Sequence, residues 1–482
     1  MTTPPLYAAI AAHRFGLGEP KLDNVGDDPA GWLRKQIGPA DAAVGGPFPS
    51  AVQALAAYSE QKVPVSALLA TRPASAPASG GASASTSASM GEPAFALRDI
   101  INEDLQSRMA TALATKRPFA ERLVLFWANH FSVSINKGPV RGLAGALERE
   151  AIRPNIAGKF ETLLHQASMH AAMLRYLDNN SSIGPHSQAA ERIARRTADD
   201  KEKRRKVSTG LNENLAREIM ELHSLGVAGG GGVYGPWGGY TQADVTAFAA
   251  VLTGWRAYDP PRGSQATTFD AHWHEPGPKT IMGKQYPEGP QALDQVIHDL
   301  ATHPSTARFI ATKLARHFVA DDPPVPLVEK LAKTFNQTGG DLAAVYRTLI
   351  DAPESWEAAP RKLKAPEEFA ISSLRVLGAG DRHLAKVRES LGNLGQRPHT
   401  APSPAGWPDK AEEWLGPEAI WKRVEWSQRQ AERFGDQLDA RALARASLGP
   451  LLTDTTYQQI ERAADGTQAI VLLLMSPEFQ RR

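Results

Sequence analysis

Apolar residues in this chain recur every three or four positions in stretch after stretch, and that spacing is what one face of an α-helix offers to a core. Leu123, Phe126, Trp127 and His130 mark one such face within 118–130. The same spacing returns over 96–113, 141–150, 155–168, 211–225, 304–318, 326–335, 341–351, 366–377, 417–434 and 468–475. Boundary residues agree with it. Gly226 follows 211–225 as a C′ glycine does, and Thr241 stands ahead of the apolar run 245–252 as an N-cap does. Alternating runs of strand length are scarce, and 280–284 is the best short candidate. The expected fold class is therefore mostly α: a multi-helical globular fold with long loops and few short strands.

Organisation is coarser. Residues 73–91 are almost entirely Ala, Ser, Gly and Pro, cannot offset their ordering entropy, and read as a flexible low-complexity loop. Residues 191–206 carry Arg192, Arg195, Arg196, Lys201, Lys203, Arg204, Arg205 and Lys206 against Glu191, Asp199, Asp200 and Glu202. No aromatic side chain is interleaved for base stacking, so a solvated basic loop fits better than a nucleic-acid patch. These segments sit within a central helical body assigned to 1–320, with a C-terminal helical region, 321–482, packed on it. A net charge of +2 gives no global field for nucleic acid or an anionic membrane. The chain has no cysteine, which excludes disulfides, iron–sulfur clusters, thiolate zinc sites and a Cys nucleophile. It has no apolar run long enough to span a membrane, and its first residues lack a basic, then apolar, secretory pattern. The expected location is cytoplasmic, with export alongside a signal-bearing partner as the alternative.

Several strings occur together: Ala-Ala-His-Arg-Phe-Gly-Leu-Gly at 11–18, Phe-Trp-Ala-Asn-His-Phe-Ser-Val-Ser at 126–134 and Tyr-Leu-Asp-Asn at 176–179. They continue with Gly-Leu-Asn-Glu-Asn-Leu-Ala-Arg-Glu at 210–218, Glu-Leu-His at 221–223 and Gly-Tyr-Thr-Gln-Ala-Asp-Val at 239–245. Thr-Gly-Trp at 253–255 and Pro-Ser-Pro-Ala-Gly-Trp-Pro at 402–408 complete the set. In this order they resemble the bacterial family known as domain of unknown function 1800, over nearly the whole chain. His-Ala-Ala-Met at 170–173 departs from that family's usual His-Pro-Ala-Met. The resemblance implies a neighbouring gene for a secreted sulfatase-like protein, hence an envelope or polysaccharide setting and a sulfatase-like partner.

The densest polar cluster lies at 212–223. On ideal helical spacing Asn214, Glu218, Glu221 and Leu225 share a face, with Arg217 beside Asn214 and Glu221. Such a face is either an ion-paired surface or two carboxylates whose mutual repulsion splits their pKa values into an acid and a base. His223 lies about 200° from Glu221 at 100° per residue, which suits a role at the helix C-terminus better than chelation. His130, with Asn129 before it, ends an apolar helix, as a core residue or at a pocket mouth. Asp178 ends another, as a plain turn or a functional carboxylate. Trp237 and Trp255 offer core packing or flat platforms for a sugar.

Chemistry assigned from these residues is acid–base cleavage or modification of a glycan. Glu218, Glu221, His130 and Asp178 are the catalytic candidates, with Asn129, Asn214, Arg217, Trp255 and Trp237 as substrate contacts. No cofactor is required by this reading. A divalent metal held by His130, His223, His274 and Glu218 is the alternative, as a metal-dependent oxidoreductase or hydrolase. The non-enzymatic alternative is a partner or maturation factor of the sulfatase-like protein. No Gly-x-Ser-x-Gly elbow is present, and the Gly-rich stretch at 229–239 lacks the Lys-Ser/Thr of a phosphate loop.

Overall fold

Pro118 suits a helix start because its missing N–H is one of the donors a first turn leaves unpaired. The helix it opens, α1 (Pro118–His130), is buried along most of its length. In the computed structural model, which describes residues 4–62, 97–198, 210–227, 239–258, 265–380, 391–434 and 437–482, α1 contributes to both apolar cores. The low-complexity segment 73–91, residues 199–206 of the basic stretch and Trp237 lie outside the described residues. Residues 188–196 of that basic region form a helix capped by the Ser187 side chain.

α1 serves two apolar cores. Leu123, Val124, Phe126 and Trp127 belong to the larger, which gathers residues between Ala8 and Ala352. Leu125 belongs to the second, built around Phe369, Trp426, Ile470 and Phe479 and reached by Leu17, Met109 and Ala112. Helices Val325–Gln337 and Leu342–Asp351 pack into the larger core, so the seam between cores falls just before Phe369. The polar edge of Trp127 is satisfied: its Nε1–H donates to the Tyr346 hydroxyl (2.7 Å), which donates to the Ile156 carbonyl (2.7 Å).

Among the described residues 62% are helical and 4% extended, so the fold is mostly α as the periodicity requires. Four further helices carry polar side chains of interest: α2 (Asn214–Glu218), α3 (Gln242–Leu252), α4 (Pro304–Phe318) and α5 (Pro366–Val376). Thr241 caps α3 reciprocally with Asp244, as its position suggested. No described helix is long and apolar enough to cross a membrane.

Two local expectations need correction. The run 280–284 is not one strand but a hairpin, β1 (Lys279–Ile281) against β2 (Lys284–Tyr286). Met282 and Gly283 turn it with φ of 48° and 79°, the left-handed region a tight hairpin needs at both central residues. α2 does not continue as an α-helix either. Ile219–Ser224 is a π segment in which the Leu225 N–H donates to the Met220 carbonyl (2.8 Å). Its extra residue per turn invalidates the ideal 100° spacing used to place Glu221, His223 and Leu225. Leu225 is 3% exposed while Asn214 is exposed, so the four residues do not form one uniform polar face.

Candidate functional site

The end of α1 meets the segment around Trp407. The Asn129 side-chain amide donates to the Trp407 carbonyl (2.9 Å) and accepts from the Trp407 N–H (2.8 Å), a two-point clamp on backbone. Gly406 makes this approach possible: its φ is 84°, and a Cβ there would fall 2.4 Å from the Asn129 carbonyl oxygen. Gly406→Ala is therefore expected to destabilise the fold by about 2–3 kcal/mol in denaturant titration, combining left-handed strain with the clash. Wild-type stability in that variant would mean the clamp is absent.

Past Asn129, α1 ends on His130, and α4 brings Lys313, Arg316 and His317 to the same space. α5 supplies Glu367 and Glu368, and the segment after Trp407 supplies Asp409 and Lys410. Together they line a cavity of about 330 Å³ on the seam between the two cores, whose far wall holds Arg108, Glu148 and His399. Ligand sites favour such junctions.

His130 is buried. Its Nε2–H donates to the His223 carbonyl (3.1 Å), and its Nδ1 accepts from the Lys313 ammonium or amine (3.0 Å). This pattern assigns the Nε2–H tautomer. Burial, then the Lys313 charge and His223, hold the imidazole well below its ordinary pKa, so it stays neutral. Burial also pushes Lys313 down to about 8, with Arg316 adding to the effect and Asp409 opposing it. Across the cavity His317 donates from Nδ1 to Asp409 (3.3 Å), and its Nε2 lies 3.6 Å from Glu368. Burial lowers the His317 pKa although both carboxylates work the other way.

The carboxylates behave oppositely. Burial alone would raise them, yet Arg122, Arg482 and His317 hold Glu368 at about 2, and Arg108, Arg153 and His399 hold Glu148 at about 2. Asp409 is held below the carboxylate range by His317, Lys362 and Arg482, against its burial. These anions orient and counterbalance cations. Of these groups the Lys313 amine is the one moved toward neutrality, and the imidazoles beside it stay neutral with a ring nitrogen free to accept.

The strings at 126–134 and 402–408 thus form one structure, and the family model described as "Protein of unknown function (DUF1800)" matches residues 10–481. The chain belongs to that family. No curated protein and no solved structure matches it.

Three other DUF1800 strings are held by buried hydrogen bonds to backbone. Asn179, buried, donates to the Leu252 and Trp255 carbonyls (3.1 and 2.9 Å), and Asn180 bonds both polar backbone atoms of Ala257, tying 176–180 to the Thr-Gly-Trp turn. Arg14 donates to the Ser355 and Ala359 carbonyls, and Arg122 to the Gly16 carbonyl.

Of the described catalytic, substrate and metal candidates, only Asn129 and His130 line this cavity. Glu218 and Glu221 are half-buried and outside the cavity, on the helical segment whose His223 carbonyl receives His130. Burial and then Glu221 raise the Glu218 carboxyl, and burial followed by Glu221 and Glu218 pushes the Tyr240 phenol up to about 12 against Arg217. Arg217 does not bond them; it donates to Glu213 (3.1 Å) and Gln242 (2.7 Å). Asn214 is exposed and donates its backbone N–H to Asn212. Asp178, at φ 58°, has a half-exposed carboxylate paired with Lys137 at 2.6 Å. Lys137 also donates to the Tyr176 carbonyl, so Asp178 and Glu218 are neighbours of the same tyrosine.

His223 is fully buried and held neutral at about 3 by burial and Lys313, which removes the cationic helix-end role. His274 is committed to the Thr253 carbonyl (2.9 Å), Lys279 and the Gly289 N–H. Among the described residues no three His, Asp or Glu side chains gather as metal ligands, so His130, His223, His274 and Glu218 do not assemble one set. Trp255 packs on Phe269 with the rings tilted (centroids 5.4 Å apart). Sequence reasoning missed Lys313, His317, Glu368 and Asp409. Their signal was present: Arg-His closes the 304–318 helix, a Glu-Glu pair follows Pro366, and Asp-Lys follows the 402–408 string.

Proposed function

We propose that this chain is an enzyme acting on a small polar molecule held in the seam cavity, with protons moved by imidazole and amine groups. The observation that carries the reading is the Lys313–His130 pair, a lysine nitrogen 3.0 Å from an unprotonated imidazole nitrogen on a cavity wall. Such a pair passes a proton without creating a buried unpaired charge. His317, oriented by Asp409 as a carboxylate orients a catalytic imidazole, supplies a second proton carrier. A cavity of about 330 Å³ lies at the small end of the ligand-pocket range, which argues for a metabolite-sized substrate.

The glycan reading keeps a specific support of its own, the raised Glu218 carboxyl beside Glu221, the asymmetry that two-carboxylate catalysis needs. One experiment separates the two. A turnover screen over small polar metabolites and oligosaccharides is run on wild type, His317→Asn and Glu218→Gln. The expected result is a hit lost by at least about a hundredfold in His317→Asn and kept in Glu218→Gln. The reverse pattern overturns the cavity reading in favour of the carboxylate pair. A cytoplasmic setting, an exported one and a sulfatase-like partner are all compatible with either site.

A further inference from the structure

Resting on the cavity reading, we propose that Lys313 is a covalent nucleophile that captures a small 2-oxo acid as an imine. The lysine is fixed at the cavity wall by its contact with His130, and the accepting atom is a ring nitrogen that carries no proton of its own. Charged and titratable groups face it from each neighbouring element: His130 on α1, His223 behind it, Arg316 and His317 on α4, and Asp409 and Lys410 on the 402–410 segment. Two of these are cations with spare capacity. Arg316 donates from Nε to the Asp321 carbonyl (3.1 Å) and forms no ion pair among the described residues, and Lys410 has only a 3.8 Å contact to Glu412. The carboxylates near them are already engaged: Asp409 by His317 and Lys362, Glu368 by Arg122 and Arg482, and Glu367 by Arg108. An incoming carboxylate therefore finds positive charge that the protein does not neutralise, on Arg316 one helical turn along α4 from the Lys313 amine and on Lys410 in the same cavity. A 2-oxo acid places its carbonyl next to its carboxylate, so one ligand can offer its carbonyl to the amine and its charge to a neighbouring cation.

The step balances without any added oxidant or reductant. The Lys313 nitrogen lone pair forms a C–N bond as the carbonyl π bond opens onto oxygen. One amine proton reaches that oxygen through Nδ1 of His130. The second leaves with the hydroxyl as water, and the C=N bond forms. The depressed basicity of Lys313 raises its neutral fraction near pH 7 roughly two- to three-hundredfold over an ordinary lysine, and the neutral amine is the form that attacks.

The test uses the full chain with glyoxylate and cyanoborohydride, which reduces an imine to a stable carboxymethyl-lysine, followed by peptide mass mapping. Binding of acetate, which has a carboxylate but no ketone or aldehyde, is measured in parallel by thermal shift. Lys313 is expected to be labelled about tenfold faster than any other lysine. Acetate should slow that labelling, and Lys313→Arg should bind acetate but take no label at that position. Acetate binding without labelling of Lys313 overturns the imine and leaves the cavity reading standing. Labelling spread evenly over the lysines, with no acetate effect, overturns both. Should Lys313→Arg fail to fold, the acetate protection of wild-type Lys313 still decides.

Discussion

Glu148→Ala is expected to cost about 3–5 kcal/mol, because it removes the shared anion from two buried guanidiniums. Glu148 accepts from Arg108 and from Nε and Nη2 of Arg153 (3.2 and 3.1 Å), and both arginines are buried. Arg153 would keep Glu121, and Arg108 would keep Glu367, but each cation would lose its second counter-charge. Solvation cannot replace it at that depth. The loss is read as a lower denaturant midpoint, with Glu148→Gln intermediate because it keeps an acceptor. A loss below about 1 kcal/mol would show the network to be solvated.

Acid is expected to unfold the protein near pH 4–5, well before its carboxylates titrate out. His13, His223 and His399 have folded pKa values of about 3, 3 and 4, each depressed first by burial, against an ordinary 6.5. The unfolded chain therefore takes up protons first. The stability these residues contribute is fully present above about 6.5 and is lost as pH falls toward their folded values. Each costs about 1.4 kcal/mol per pH unit in that window, so three together approach a typical total stability by about pH 5. Asp104, raised to about 6 chiefly by burial, works in the opposite direction between 3.8 and 6, as one proton against three. Glu148 and Glu368 add to the acid loss only below their ordinary 4.5. The check is circular dichroism against pH. An unchanged signal down to about pH 4 would mean that these imidazoles are hydrated.

Helical periodicity was readable because it needs only local pattern. The 118–130, 304–318 and 417–434 helices start and stop where Pro and the apolar spacing place them. What local pattern cannot carry is a change of helical pitch. The π segment Ile219–Ser224 broke the face that ideal spacing gives to Asn214, Glu218, Glu221 and Leu225, leaving Leu225 buried. The cavity was half legible. Asn129 and His130 stood out because polarity rises abruptly at the end of an apolar helix. Lys313 and His317 look like ordinary exposed-face residues in α4, and only the approach of Asp409, 92 positions later, gives His317 its partner. Trp407 stood out only as part of the 402–408 string, and it is its backbone that Asn129 grips.

The claim that imidazole and amine groups of the seam cavity do the chemistry is tested most directly by titrating Lys313 itself. Competitive acylation of the lysines across pH, quantified peptide by peptide, gives each amine its own midpoint. A midpoint for Lys313 near 8, unchanged in Glu218→Gln, is the predicted result. A midpoint in the ordinary lysine range, about 10.4, would mean a solvated ammonium that cannot serve His130 or a substrate, and would contradict the account.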